Sequence, residues 1–345
     1  MSKQLPAKTA PTGFWNRLLG LRRRKAQVRV YHSYSDTDAV LVLGHVLRGG
    51  EIAAPEDHLR SSIWDNALSM IRLFRVVPQS NAEVEVHFAG EVRRARADEQ
   101  GFFQVEWVPC HPLPRGWQPV TVKVLSGEAA GRQGEGNVYY PGFTPQGFIS
   151  DIDDTFLVSH TASLLRRIRV LLTRNPATRK PFEGVVKHYQ ALARKSAPEA
   201  FPNPFFYVSS SEWNLYAYIK DFCRHHELPE GIFLLSEIQS VSNLLTSGQK
   251  NHGGKEDRIR HVLEAFPTMK FVLLGDDTQR DPYIYAEIAK AFPNQINAVY
   301  LRQRVKSHRE DASKQLADIE ALGIPVCYFK HSKDALEHSR ALGLA

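Results

Sequence analysis

The chain has 345 residues, length enough for two domains at roughly 100–200 residues each. Its 43% hydrophobic and 23% charged residues are those of an ordinary soluble globular protein, and no run approaches the roughly 20 apolar residues that span a bilayer. The net charge of +7 favours anionic partners: a phosphorylated substrate, an acidic membrane surface or nucleic acid. Three widely spaced cysteines, Cys110, Cys223 and Cys327, form no CxxC pair, so reduced thiols in a cytoplasmic protein are expected and zinc is not.

Residues 1–27 read as a basic arm. Arg17 and Arg22 to Arg24 interrupt the apolar core that a secretory signal needs. Phe14, Trp15, Leu18, Leu19 and Leu21 beside those arginines suit a short membrane-surface anchor, and equally a flexible tail.

Residues 28–141 carry the texture of a small β-sandwich. Val28 and Val30 alternate with polar neighbours, and Ala39 to Val46 is an apolar run. Val84, Val86 and Phe88 alternate with Glu83, Glu85 and His87, the period of a half-buried strand. Asp98 to Gly101 is a turn signal before a strand from Phe102 to Trp107, and Val120, Val122 and Val124 alternate again. A helical spacing runs from Ile63 to Phe74. No catalytic constellation is visible in this half. A structural or substrate-presenting role is expected.

Residues 142–345 change period. Strand-like runs at Phe148-Ile149, Phe205–Val208, Ile232–Leu235, Phe271–Leu274, Ala298–Leu301 and Val326–Phe329 alternate with helical stretches such as Trp213–Arg224 and Asp257–Phe266. That alternation predicts an α/β fold with a parallel sheet flanked by helices, whose active site lies at the carboxyl ends of the strands.

Chemistry collects at those ends. The first strand runs into Asp151-Ile152-Asp153-Asp154-Thr155. One carboxylate can attack phosphorus to give an acyl phosphate. A second, two residues on, can protonate the leaving alkoxide and then activate water. A calcium loop is excluded, because the sixth and twelfth positions from Asp151 are Phe156 and Ala162 instead of glycine and glutamate. The second strand ends in Ser209-Ser210-Ser211, whose hydroxyls and backbone N–H groups suit phosphate oxygens. The strand Phe271–Leu274 ends in Gly275-Asp276-Asp277, with Asp281 following, and such carboxylates suit magnesium. Lys255 lies one helical turn before Ile259, on the apolar face marked by Ile259, Val262, Leu263 and Phe266. There it would neutralise nucleophile and phosphate together. Lys250 is the rival. The pair His225-His226 and His252 lack metal-ligand spacing.

The order of carboxylate pair, serine, lysine and acidic pair resembles the haloacid dehalogenase superfamily, whose phosphatases carry a DxDxT motif. Within it, Phe148–Thr155, Tyr207–Tyr216, Phe271–Asp276 with Asp281, Pro282 and Tyr285, and Pro181–Tyr189 look like the actin-patch type of phosphatidate phosphatase. That resemblance implies a Rossmann-like sheet with a helical cap insertion and magnesium-dependent conversion of phosphatidate to diacylglycerol. It makes Asp151 the nucleophile, Asp153 the acid/base and Lys255 the charge-steadying group. Thr155, Ser209 and Ser210 would bind the phosphate. Asp151, Asp153, Asp276, Asp277 and Asp281 would hold the metal. Glu212 stands where the family has proline, and Asp277 where it has serine.

A basic amphipathic stretch follows the nucleophile. Leu164, Leu165, Ile168, Leu171 and Leu172 share one face, and Arg166, Arg167, Arg169 and Arg174 the other. It suits an anionic bilayer, consistent with a protein peripheral to the membrane, and equally a cap helix packed on the core. Two alternatives stay open: a phosphatase of a soluble ester or phosphoprotein, and a non-enzymatic lipid- or protein-binding module. Nucleic acid is not an expected partner, because no aromatic-and-basic binding motif accompanies the charge.

Overall fold

The computed structural model describes residues 26–36, 38–48, 77–142, 144–152, 183–195, 201–236, 253–278 and 280–345. Asp153, Asp154, Thr155, Lys250 and His252 therefore lie outside the described residues, as do the basic arm, the Ile63–Phe74 spacing and the Leu164–Arg174 stretch. No helix among the described residues is long and apolar enough to cross a membrane, which says nothing of a β-barrel.

Nine strands form the first sheet: β1 (Gln27–Val30), β2 (Ser33–Ser35), β3 (Val40–Arg48), β4 (Val77–Pro78), β5 (Glu83–Phe88), β6 (Glu91–Arg96), β7 (Phe102–Trp107), β8 (Gly116–Val124) and β9 (Gln133–Tyr140). Their pairs are antiparallel except β2 with β9. The expected alternations appear as burial: β5 buries Val84, Val86 and Phe88 and turns Glu83 and His87 outward. Where two stacked sheets were expected, the strands join into one hydrogen-bonded sheet in the order β1-β3-β2-β9-β8-β5-β6. The cause is β3. It is nine residues long and meets β1, β2, β4 and β7 along its length. Val42 of β3 and Val105 of β7 share a core with Val84 and Val122 from the far end of that order, so the sheet folds over on itself.

The Asp98 turn has the predicted chemistry. The Asp98 carboxylate accepts from the N–H groups of Gln100 (2.9 Å) and Phe102 (2.8 Å). Gly101 sits at φ +72°, and a Cβ there would come within 2.5 Å of the Val46 carbonyl oxygen.

The second sheet is parallel: β10 (Gln146–Asp151), β11 (Phe205–Glu212), β12 (Ile232–Ser236), β13 (Lys270–Asp276), β14 (Ile296–Arg302) and β15 (Val326–Phe329), in the order β12-β11-β10-β13-β14-β15. Its described helices are α1 (Val185–Arg194), α2 (Tyr216–His225), α3 (Gly253–Ala265), α4 (Asp281–Ala291), α5 (Arg309–Glu320) and α6 (Ser332–Ala341). The chain starts in the centre at β10, builds outward through β11 and β12, then returns to β13 on the other side. Between β10 and β13 the direction of build reverses. Such a switch point leaves a crevice beyond the strand ends, where ligands bind.

The two sheets share one core. Tyr31, Tyr34, Leu41, Leu43 and Tyr139 of the first half pack with the aromatic interior of the second. Tyr31 stacks on Trp213 at 4.1 Å between ring centres and leans on Tyr216 at 4.6 Å. The Tyr216 hydroxyl accepts from the His32 backbone N–H (2.9 Å), and the His32 ring lies 3.0 Å from the Gly231 carbonyl oxygen.

Candidate active site

Asp151 closes β10 and Asp276 closes β13, on neighbouring strands that flank the switch point. Asp281 opens α4, immediately after the turn that follows β13. All three are buried, and one oxygen of each lies within 4.8 Å of the others. Strand pairing thus brings together carboxylates separated by 125 residues of chain.

Lys255 meets this group from α3. Its ammonium donates to Asp151 Oδ1 at 2.8 Å and to Asp281 Oδ1. The lysine is buried, as is Ile259 one turn on. Burial alone would push its proton off, but the Asp151 and Asp281 charges overcome this and hold the ammonium above its ordinary range. Among the described residues, three buried carboxylates gather beside the Lys255 ammonium, with the buried Arg302 guanidinium also acting on Asp276.

Close packing fixes the acids. Gly275 has no side chain because none fits: a Cβ would lie 2.6 Å from Asp281 Oδ2 and 2.8 Å from the Tyr285 ring. The Tyr285 hydroxyl donates to the Leu274 carbonyl at 2.9 Å. Asp276 Oδ1 accepts from the Thr278 N–H (2.8 Å) and hydroxyl (2.6 Å). Behind Asp151, the Ser150 hydroxyl donates to the Asp151 carbonyl at 2.9 Å and lies 2.9 Å from the Tyr189 hydroxyl of α1.

Ser209 lies one residue beyond Val208, the partner of Asp151 in the β10–β11 register, and so at the same edge. The register between β11 and β12 slips from Val208 to Glu212, a bulge that spans Ser209 to Ser211. Within it Ser209 Oγ accepts from the Ser211 N–H at 2.8 Å, while Ser210 is half-buried. Arg258 of α3 donates to the Ser209 carbonyl at 3.1 Å.

Asp277 stands apart from the acidic group. Its Oδ1 accepts from the N–H groups of Arg304 (2.7 Å) and Val305 (3.0 Å), and its Oδ2 from the Tyr328 hydroxyl (2.7 Å). Its carboxylate clamps the segment after β14, whereas the expectation gave it to the metal. His225 and His226 lie at the end of α2, away from the carboxylates, and no described histidine joins the group. The sequence reading had missed Ser150, Tyr189, Arg258 and Thr278. Thr278, two residues beyond Asp276, is the one with a local signal, since a hydroxyl at that spacing can turn back on a carboxylate.

Residues 146–303 match the family described as the catalytic domain of phosphatidate phosphatase APP1. The phosphatidate phosphatase APP1 of Saccharomyces cerevisiae is 29% identical over 185 residues, 50% of this chain and 29% of that protein. An uncharacterized protein of Schizosaccharomyces pombe is 26% identical over 156 residues, 45% of this chain and 24% of that protein. The chain thus spans less than a third of the length of these relatives. Of solved structures, a carbohydrate acetylesterase from Xanthomonas citri aligns over 90% of this chain and 71% of its own, at 13% identity and a TM-score of 0.31, too low to carry an inference. The resemblance read from the motifs therefore holds for the segment that contains Asp151, Ser209, Lys255, Asp276 and Asp281.

Proposed function

We propose that this chain is a magnesium-dependent phosphatase of the haloacid dehalogenase type that removes phosphate from phosphatidate to leave diacylglycerol. The observation that carries the reading is the convergence of Asp151, Asp276 and Asp281 on one another, with Lys255 bridging Asp151 and Asp281. An all-oxygen donor set of three carboxylates fits magnesium, which would be held by Asp151, Asp276 and Asp281. When bound, the ion would neutralise negative charge on the transferring phosphoryl group.

The chain's own groups do the rest. An Asp151 carboxylate oxygen attacks phosphorus and the bond to the glycerol oxygen breaks, with Asp153 giving that oxygen its proton. Asp153 then takes a proton from water, which attacks the phosphoaspartyl group and restores Asp151. Lys255 holds Asp151 in place and in its ionised form. Ser209 and Ser210, with Thr155, orient the phosphate. Support for a lipid comes from the family match and from the relative named for phosphatidate. The match covers this half of the chain, so the substrate is part of the proposal.

The test uses purified protein with magnesium, phosphatidate vesicles and a panel of soluble phosphate esters. Phosphate release from the vesicles is expected, abolished by chelation and lowered at least 10³-fold by Asp151→Asn with the fold retained. Release from soluble esters alone would remove the lipid and keep the mechanism. Undiminished turnover by Asp151→Asn would remove the mechanism.

A further inference from the structure

The carboxyl edge of the parallel sheet carries basic residues as well as the acidic group. The chain leaves β13, β14 and β15 at this edge, on neighbouring strands about 5 Å apart. Arg280 follows β13, while Arg304, Lys306 and Arg309 follow β14, and Lys330 and Lys333 follow β15. Arg304 is half-buried and the other five are exposed. Buried contacts fasten these segments to one another. Asp277 accepts from the N–H groups of Arg304 and Val305, and its carbonyl oxygen meets the His308 ring at 2.7 Å. The Gln303 N–H donates to the Phe329 carbonyl at 2.8 Å, and the Arg302 guanidinium to the Ser332 hydroxyl at 2.7 Å. Arg302 is the register partner of Asp276, so this face borders the acidic group.

Little on this face balances its charge. Among the described residues, Arg280, Lys306, Arg309 and Lys330 make no ion pair with a carboxylate. Lys333 has Glu337 at 3.7 Å. Asp277 is buried, with its oxygens taken by backbone N–H groups and the Tyr328 hydroxyl. The exposed carboxylates beside the patch are Glu310, Asp311 and Asp334, in the first turns of α5 and α6. Six cations thus outnumber three carboxylates, and the N-terminal ends of α5 and α6 add positive partial charge at the same edge. Tyr283, 40% exposed, stands in the first turn of α4, three residues past Arg280. Long cationic side chains around an aromatic ring with a polar tip suit the head-group layer of a bilayer.

We propose that this edge is the face by which the protein docks on an anionic lipid bilayer, its six cations set over the head groups and Tyr283 among them. Docked this way, the crevice that holds Asp151, Asp276 and Asp281 opens toward the membrane, and a lipid offers its phosphate without leaving the bilayer. The cations spread over three segments as a patch with one exposed aromatic among the described residues, whereas a single-stranded nucleic acid uses a basic groove with several rings for stacking. The choice of a bilayer rests on the phosphatidate reading.

Co-sedimentation of the full chain, without magnesium, with phosphatidylcholine vesicles containing about 30% phosphatidylserine tests the docking face. Saturable binding is expected, absent from vesicles of phosphatidylcholine alone and falling as added salt screens the charges. Each cation near such a surface is worth about fivefold in affinity. Lys306→Gln, Arg309→Gln and Lys330→Gln together should therefore weaken binding roughly a hundredfold. Arg48→Gln, Arg224→Gln and Lys290→Gln together remove the same charge from exposed sites elsewhere, and should weaken it less than about fivefold. No binding to the anionic vesicles, equal losses in the two variants, or a patch variant that binds like the parent would each overturn the proposal. So would a patch variant that loses an oligouridylate and keeps the vesicles. Should the patch variant fail to fold, lysine acetylation of the unaltered protein takes its place. Vesicles should protect Lys306, Lys330 and Lys333 but not Lys290, and protection confined to other lysines overturns the proposal. Phosphate release from detergent-dispersed phosphatidate judges the phosphatase reading separately. Release without vesicle binding removes the docking face alone, and vesicle binding without release removes the phosphatase alone.

Discussion

The carboxylate group at the edge of the parallel sheet and the seam between the sheets are both buried, yet they handle polarity in opposite ways. At the edge, Asp151, Asp276 and Asp281 are packed within reach of one another, and Lys255 bridges Asp151 and Asp281. At the seam, ring meets ring, with Tyr31, Trp213, Tyr216 and the imidazoles of His32 and His45 in contact. Carboxylates are concentrated at the sheet edge, whereas aromatic and imidazole rings hold the seam beside the Arg29 guanidinium. Like charges kept together in a dry site are costly, and they persist when a cation or a reaction makes use of them.

The sharpest way to break this contrast is at Lys255. In Lys255→Met the buried Asp151 and Asp281 carboxylates lose their ammonium. Turnover is expected to fall at least 10³-fold, about 4 kcal/mol in the barrier. The fold should lose about 3–5 kcal/mol, since removing one partner leaves uncompensated buried charge. Steady-state rates and urea unfolding measure the two, and magnesium should raise the variant's melting temperature more than the parent's. Unchanged stability would show that the group is not coupled through charge.

At the seam the matching deletion is Trp213→Ala. It removes the stack on Tyr31 and the contact with Phe102, for an expected loss of about 3–5 kcal/mol in stability. Denaturant unfolding followed by far-ultraviolet circular dichroism checks it. A loss below about 1 kcal/mol would mean the halves are held together elsewhere.

Adjacent aspartates sharpen the boundary of the acidic group. Asp277→Ala strands the N–H groups of Arg304 and Val305 and the Tyr328 hydroxyl, for roughly 2–3 kcal/mol of stability. Its magnesium requirement should stay within about twofold of the parent, because its carboxylate is engaged by Arg304, Val305 and Tyr328. Asp276→Ala should raise that requirement at least tenfold, about 1.4 kcal/mol. Activity titrated against magnesium separates the two. Equal shifts would return Asp277 to the metal site.

Much of this was legible in the chain, and the part that was not has physical reasons. Period-two and helical spacings placed the six parallel strands and the face of α3 that carries Lys255, because one buried face imposes its period on the sequence. Which strand pairs with which is not written in periodicity. β3 was visible as an apolar run, but its four neighbours, and so the single folded-over sheet, were not. Asp277 lies just past the end of β13, and its engagement with Arg304, Val305 and Tyr328 depends on partners 27 or more residues on, which no local pattern shows. Gly275 reveals its role only when Asp281 and Tyr285 crowd it.

The smallest expected effect tests the neutral imidazoles of the seam by pH. Burial lowers the His32 imidazole to about 4, with Lys220 adding to it, and lowers His45 to about 3. Both values lie below that of the unfolded chain, about 6.5. Between roughly pH 6.5 and 4 the unfolded chain therefore binds protons that the folded one refuses, so stability is fully present above pH 6.5 and falls as pH drops. Each ring contributes at most about 1.4 kcal/mol per pH unit in that window. His32→Phe is expected to flatten the acid limb of the stability curve by up to that amount. It should do so even though it loses the hydrogen bond to the Gly231 carbonyl. Chemical unfolding at half-unit steps from pH 7.5 to 4.5 reads the slope directly. An acid limb as steep in the variant as in the parent would mean that His32 takes up its proton in the folded protein and that burial does not hold its ring neutral.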